Sequence, residues 1–97
     1  MHLFFMKITM SSVYEFKIFC DKVGLIFPDI HIVSNWNNTE YDFQVVWYGV
    51  IVTRGKIKST SKNQAIIHII SVEISNFLKS EENFLNIIEN SKRAMKL

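Results

Sequence analysis

Residues 58–78, KSTSKNQAIIHIISVEISNFL, decide the fold because they join a clear helix start to an unusually apolar helix. Ser61 and Gln64 form an S-x-x-Q capping box, in which two side chains satisfy free backbone N–H groups, so a helix is predicted to begin near Lys62. Apolar residues then recur at helical spacing, and the helix is predicted to cover roughly residues 62–79. Because strands precede this helix, it is expected to pack on a sheet in an α+β protein.

The residues before this helix predict another helix and three strands. Ser12 and Glu15 form a second capping box, and Gly24 suits the left-handed position that ends a helix, so the first helix is predicted at residues 12–23. A tight hairpin is predicted at Gly49. The strands are predicted at residues 30–33, 41–48 and 50–58.

A further helix is predicted at the C-terminal end, because Ser80 suits an N-cap and two glutamates follow in the first turn. The element order is therefore α-β-β-β-α, with a three-stranded antiparallel sheet and an extra C-terminal helix. We divide the chain into an N-terminal flap or strand (1–10), a domain (11–79) and the C-terminal helix (80–97).

The distribution of charge is more informative than its total. The chain has 97 residues, is 48% hydrophobic and has a net charge of +2, which is too weak to imply nucleic-acid binding by itself. However, Arg54, Lys56, Lys58 and Lys62 place four positive charges within nine residues, with no acid among them. On alternate strand positions the first three would line one face. They would serve there either as phosphate contacts or as a solvated edge that resists aggregation.

Other features predict an intracellular, non-catalytic protein. The lone Cys20 excludes an internal disulfide and is expected to be a small buried hydrophobe in a reducing compartment. The first ten residues lack a basic n-region and are too short to span a bilayer, so no membrane partner is expected. His2, His31 and His68 have no partners at metal-ligand spacing, and no catalytic motif occurs. We expect no metal, no cofactor and no small-molecule substrate.

Four phrases carry a family resemblance: FCDKVGL at 19–25, FPDIHIV at 27–33, FQVVW at 43–47 and GKIKSTSKNQA at 55–65. In this order and spacing they resemble the double-stranded RNA-binding domain (dsRBD) family over about residues 11–79. The resemblance implies the α-β-β-β-α fold and recognition of A-form duplex by shape. It implies three contact regions, namely helix 1, the loop between the first two strands, and a lysine cluster at the start of helix 2.

The chain departs from the family pattern in each of these regions. Lys62 keeps the first lysine of the cluster, whereas Asn63 and Ile66 replace the next two. Ile18 stands where helix 1 of the family has a glutamate, and the loop carries asparagines in place of the family's Gly-Pro-x-His tip. The candidate RNA contacts are Lys62, Asn63, Lys58, Lys56, Arg54, Asn37 and Asn38.

The isoleucines of the second helix predict a protein interface. At about 100° per residue, the side that packs on the sheet is expected to carry Ala65, Ile69, Val72, Asn76 and Phe77. A second stripe is formed by Ile66, Ile67, Ile70, Ile74 and Leu78. Left in water, this stripe would approach the size of an interaction site. Its cover is either the C-terminal helix or another protein, including a second copy of this chain.

Three hypotheses follow. The first is a non-catalytic dsRBD-like interaction module that dimerises or docks on a protein partner in an RNA-silencing or RNA-processing setting. The second is a direct double-stranded RNA binder that uses the lysines and the asparagine-rich loop. The third is a small viral inhibitor that shares only the order of the elements.

Overall fold

The sheet lies in the chain between one helix and a longer helical region. The computed structural model describes residues 12–35 and 39–95. The elements are helix α1 (Val13–Val23), strands β1 (Asp29–Ser34), β2 (Glu40–Trp47) and β3 (Val50–Lys58), helix α2 (Lys62–His68), a π-helical segment (Ile69–Ile74), and helices α3 (Ser75–Lys79) and α4 (Glu81–Met95). Within the described residues the strands form one antiparallel sheet in the order β1-β2-β3. The predicted α+β class, with its three-stranded sheet and C-terminal helix, is confirmed.

Two sequence-based expectations concern the first ten residues and the absence of a membrane partner. The predicted flap or strand at residues 1–10 lies outside the described residues. No helix in the described part of the chain is both long enough and apolar enough to cross a membrane.

Helix α1 begins and ends at the predicted residues. The backbone N–H of Glu15 donates to Ser12 Oγ over 3.1 Å, which completes half of the predicted capping box. At the other end Gly24 has a φ of 77°, and the N–H of Leu25 donates to the Cys20 carbonyl over 2.8 Å. This pattern closes the last turn and satisfies a carbonyl that the helix leaves unpaired.

The sheet buries one face of β2 and turns tightly into β3. The buried side chains of β2 alternate, as the two-residue period of a strand requires: Tyr41, Phe43, Val45 and Trp47. Tyr48 has a φ of 53° and Gly49 a φ of 77°, and two consecutive positive φ angles are typical of the type I′ turn favoured in two-residue hairpins. Strand β2 therefore ends one residue before its predicted end, because Tyr48 occupies the turn.

Residues 62–79 form one continuous helix, called the central helix below, from α2 through the π-helical segment to α3. At both junctions the backbone stays right-handed, with φ of −58° at Ile69 and −61° at Ser75. Hydrogen bonds in a π-helix span five residues instead of four, so each turn is wider than in an α-helix. The buried hydroxyl of Ser75 donates to the carbonyl of Ile70, five residues earlier, over 2.9 Å.

The wider turn changes which side chains of the central helix face the core. The α-helical periodicity predicts Val72 and Asn76 on the packing side. In the structure Val72 is 37% exposed and Asn76 is exposed, whereas Ile70 and Ile74 are fully buried. The predicted phase is wrong because the π-helical segment rotates less per residue than an α-helix does.

The predicted protein interface is therefore wrong for three of its five residues. The side chains of Ile70, Ile74 and Leu78 are all 0% exposed and belong to the core of this chain. Ile66 and Ile67 are half-buried, and Ile66 packs against the same core. A fully buried side chain offers no surface to a partner, so the isoleucine stripe is a packing surface of the fold.

Helix α4 supplies part of this core. Its N-cap forms as predicted, with the N–H of Asn83 donating to Ser80 Oγ over 3.3 Å. Phe84 and Ile87 are buried in the same cluster as the central helix, and the rings of Phe84 and Phe19 lie 6.3 Å apart. The predicted alternative in which the C-terminal helix folds back onto the domain agrees with this packing.

Substitutions in the central helix test its phase. We expect Ile74→Ala to lower the free energy of unfolding by about 2–5 kcal/mol, because it leaves a cavity in a closed core. Val72→Ala is the matched control, and its cost should stay below about 1 kcal/mol because Val72 borders solvent. Urea unfolding of the two variants measures both values. A larger loss at Val72 than at Ile74 would contradict the π-helical phase.

Candidate nucleic-acid interface

A backbone hydrogen bond joins two loops at one end of the sheet. The N–H of Ser59 donates to the carbonyl of Thr39 over 3.2 Å. Thr39 ends the loop between β1 and β2, and Ser59 begins the connection from β3 to the central helix. The resemblance assigns RNA contacts to both of these regions. The fold thus brings two of the three predicted regions to the same end of the sheet.

The loop between β1 and β2 is closed by Asn35. The Asn35 Oδ1 atom accepts the backbone N–H groups of Thr39, at 3.2 Å, and of Glu40, at 3.3 Å. The Asn35 N–H donates to the Glu40 carbonyl over 2.9 Å. Asparagine side chains stabilise turns by such bonds. The predicted contacts Asn37 and Asn38 lie outside the described residues, although the ends of their loop are fixed.

The other candidate contacts are all on the surface. The four cations and one asparagine are exposed: Arg54, Lys56, Lys58, Lys62 and Asn63. The link between strand and helix is short and bonded, since Ser59 Oγ donates to the Ser61 carbonyl over 3.1 Å and Ser61 Oγ accepts the N–H of Gln64 over 3.2 Å. Only the short, hydrogen-bonded connection at residues 59–61 separates Lys58 from Lys62 in the chain.

The strand register places acids opposite two of these cations. Lys58 pairs with Glu40 and Lys56 with Asp42, whereas Arg54 pairs with the neutral Gln44. Directly opposite side chains on one face of a sheet lie close enough to attract one another. None of the four cations forms an ion pair within 4.0 Å in the described ranges 12–35 and 39–95. Arg54, Lys56, Lys58 and Lys62 are called the basic strip below. The two acids reduce the positive electrostatic field of the basic strip, but its side chains stay exposed to solvent.

Helix α1, the third family region, presents apolar side chains. Tyr14 is 72% exposed and Ile18 is 36% exposed, one helical turn apart. Ile18 occupies the position at which the family has a glutamate. An isoleucine can neither donate nor accept a hydrogen bond, so it cannot read a 2′-hydroxyl in the minor groove. The contact that the resemblance implies for helix α1 is therefore not available from Ile18.

Cys20 is a core residue, as predicted. Its side chain is 2% exposed, and burial, with a smaller contribution from the charge of Asp21, raises the pKa of its thiol to about 12. At neutral pH the thiol is therefore protonated and unreactive as a nucleophile. Among the described residues, no group of three or more His, Cys, Asp or Glu side chains is arranged to hold a metal ion.

A cleft of about 330 Å³, which the sequence does not predict, lies between the first half of β3 and helix α4. Val50, Ile51 and Val52 form one wall, and α4 forms the other with asparagines and Arg93. No motif encodes this cleft, because its walls come from elements more than twenty residues apart in the chain. The exposed valine and isoleucine after the hairpin are its only local signal, and such residues are common in strands.

In comparisons with known proteins, no family model, no curated protein and no solved structure matches this chain.

The role of Asn35 can be tested directly. Asn35→Ala removes the acceptor of two hydrogen bonds, so we expect the amide protons of Thr39 and Glu40 to exchange roughly tenfold faster or more. Asn35→Asp is the matched control, because its carboxylate keeps an acceptor at the same place. Hydrogen exchange followed by NMR measures both variants. Equal protection in the alanine variant and in the parent protein would show that Asn35 does not close the loop.

Proposed function

We propose that this chain is a non-catalytic, dsRBD-like module that binds double-stranded RNA through Arg54, Lys56, Lys58 and Lys62. The bond between Ser59 and Thr39 is the observation that carries the proposal. It holds Lys58 and the start of the central helix beside the loop between β1 and β2, two of the regions through which the dsRBD resemblance implies contact with A-form duplex.

The geometry of the strip supports contact with phosphates. Alternate residues of a strand are about 6.7 Å apart, so Arg54, Lys56 and Lys58 form a row along one face of β3. Lys62 is the first residue of the central helix and follows Lys58 after a short connection. Cations in a row along a polyanion release condensed counterions, and this release supplies most of the sequence-independent affinity.

The strip also predicts weak binding. Glu40 and Asp42 offset part of its charge, and Asn63 and Ile66 cannot neutralise a phosphate. With at most four phosphate contacts, the logarithm of the binding constant should fall with the logarithm of salt concentration with a slope no steeper than roughly −3.6. We propose an intracellular setting, because a lone buried cysteine suits a reducing compartment. The dsRBD resemblance adds RNA silencing or RNA processing as the context.

A protein-interaction module is the second candidate function. The predicted isoleucine face does not support it, since Ile70, Ile74 and Leu78 are buried. The cleft between β3 and α4 favours it instead, because it is an apolar concave surface. The homodimer and the viral inhibitor remain predictions, because no surface of the described residues specifically supports either of them.

The lysines allow a matched test of RNA binding. We expect the double variant Lys58→Ala, Lys62→Ala to bind a fluorescent RNA duplex of about 16 base pairs at least tenfold more weakly at moderate salt. Lys79→Ala is the control, because Lys79 is equally exposed but lies roughly 25 Å away along the same helix. Fluorescence anisotropy gives the affinities, and a salt series should show a slope smaller by about two in the double variant.

The choice of nucleic acid is a further part of this test. A DNA duplex of the same sequence should bind less tightly, because the A-form shape and the 2′-hydroxyls are absent. Equal loss of affinity in the Lys79 control, or no binding of duplex RNA by the parent protein at low salt, would overturn the proposal.

A further inference from the structure

The cleft between β3 and α4 has an apolar interior and a polar rim. Its apolar lining residues are Val50, Ile51, Val52, Phe77 and Ile87. Along α4 the rim is formed by Asn83, Asn86, Glu89, Asn90 and Arg93. The Nδ2 of Asn83 already donates to the Phe77 carbonyl over 3.1 Å. Asn86 and Asn90 lie one turn apart, and their amides are suited to hydrogen bonds with a polypeptide backbone.

One wall of the cleft is an edge strand. β3 is the last strand in the order β1-β2-β3, so among the described residues one edge of its backbone has no strand partner. Ile51 is 49% exposed and Val50 is 47% exposed on this strand. An exposed edge beside an apolar groove is the arrangement in which domains bind extended peptides as an added strand, with backbone bonds for affinity and pockets for specificity.

Charge defines the chemistry of a segment that could pair with this edge. Beyond the cleft, β3 carries Arg54, Lys56 and Lys58 on one face at alternate residues. An added strand would place its own alternate side chains directly beside these cations, where opposite charges attract and like charges repel. Acids are therefore required at one end of the segment, and apolar residues at the end that lies along Val50 and Ile51.

We propose that β3 and α4 bind an extended segment of another protein, with alternating acids followed by apolar residues, as a fourth antiparallel strand. The acids face the solvent side of the sheet and pair with Lys58, Lys56 and Arg54, whereas the apolar residues point to the helix side and enter the cleft. A second copy of β3 is a poor occupant, because it brings three further cations to the same edge. Duplex RNA is a poor occupant as well, because its phosphates gain nothing from the apolar interior formed by the residues of β3 and by Phe77 and Ile87.

A synthetic peptide of nine residues, the length of β3, tests this inference on the full chain. It has glutamates at positions 1, 3 and 5 and isoleucines at positions 6 and 8, with threonines elsewhere, so that the acids face the cations and the isoleucines face the helices on the other side of the sheet. We expect saturable binding by fluorescence anisotropy, and loss of binding when the glutamates are replaced by lysines. Two further peptides carry N-methyl groups at one or the other set of alternate residues. Loss of binding in one of them is expected, because strand addition uses every second N–H on one edge.

Variants of the protein separate this site from the RNA site. Ile51→Glu should weaken the peptide roughly tenfold without affecting duplex RNA, because Ile51 lines the cleft. Lys62→Ala should weaken RNA but leave the peptide unchanged. Thermal unfolding checks that both variants remain folded, and both substituted side chains are exposed in the parent protein.

Two results would overturn the inference and leave the RNA proposal standing. One is equal binding of the glutamate peptide and of both N-methylated forms, which would indicate charge attraction without strand addition. The other is a dimer in light scattering that Ile51→Glu dissociates and that excludes the peptide, which would assign the cleft to a second copy. Failure of RNA binding alone would leave the peptide site intact, because Lys62 takes no part in it.

Discussion

The fold depends on the two hydrogen bonds that hold the peptide groups of Ile26. The indole N–H of the fully buried Trp47 donates to the Ile26 carbonyl over 2.8 Å, and the Tyr48 hydroxyl accepts the Ile26 N–H over the same distance. These bonds tie the end of α1 to the hairpin between β2 and β3. The ring of Phe16 meets Trp47 edge-on at 5.7 Å. Tyr48 adopts a positive φ that is unfavourable for a bulky residue, and its hydrogen bond offsets that cost.

This anchor fixes the sheet, and the sheet then determines what the central helix must bury. The inner face of β2 is mostly aromatic, so the helix above it meets a wide apolar surface that a narrow α-helical stripe would not cover. The π-helical segment turns neighbouring pairs of residues, Ile69 with Ile70 and Ile74 with Ser75, into the core together. Helix α4 adds Phe84 and Ile87 to the same cluster. The isoleucines that looked too numerous for one amphipathic helix are therefore buried in the core of this one small chain.

Features set by neighbouring residues could be predicted from the sequence, and features set by tertiary packing could not. The caps at Ser12, Ser61 and Ser80 were predictable because a hydroxyl three residues before a free N–H is a local signal. The π-helical segment was not, since its backbone angles stay in the ordinary helical region and its core hydrogen bond needs only a serine at residue 75. The α-helical periodicity overestimates the rotation per residue in this segment, so it assigned three core residues to the surface.

The same limit applies to the basic strip. Alternation along β3 follows from the sequence, but the pairing of its lysines with Glu40 and Asp42 depends on the register that the hairpin and its bulge impose. Glu40 and Asp42 already attract the lysines of the basic strip. We therefore expect tight binding only from a ligand that carries several negative charges at the spacing of the cations, because its attraction must exceed that of the two carboxylates. A duplex backbone and a strand with alternating acids both meet that requirement. What separates them is the surface beyond the cations: the loop closed by Asn35 adjoins Lys58, whereas the apolar cleft lies beyond Arg54. For the two proposed ligands we therefore expect specificity to come from the two ends of β3, and the cations between them to supply attraction common to both.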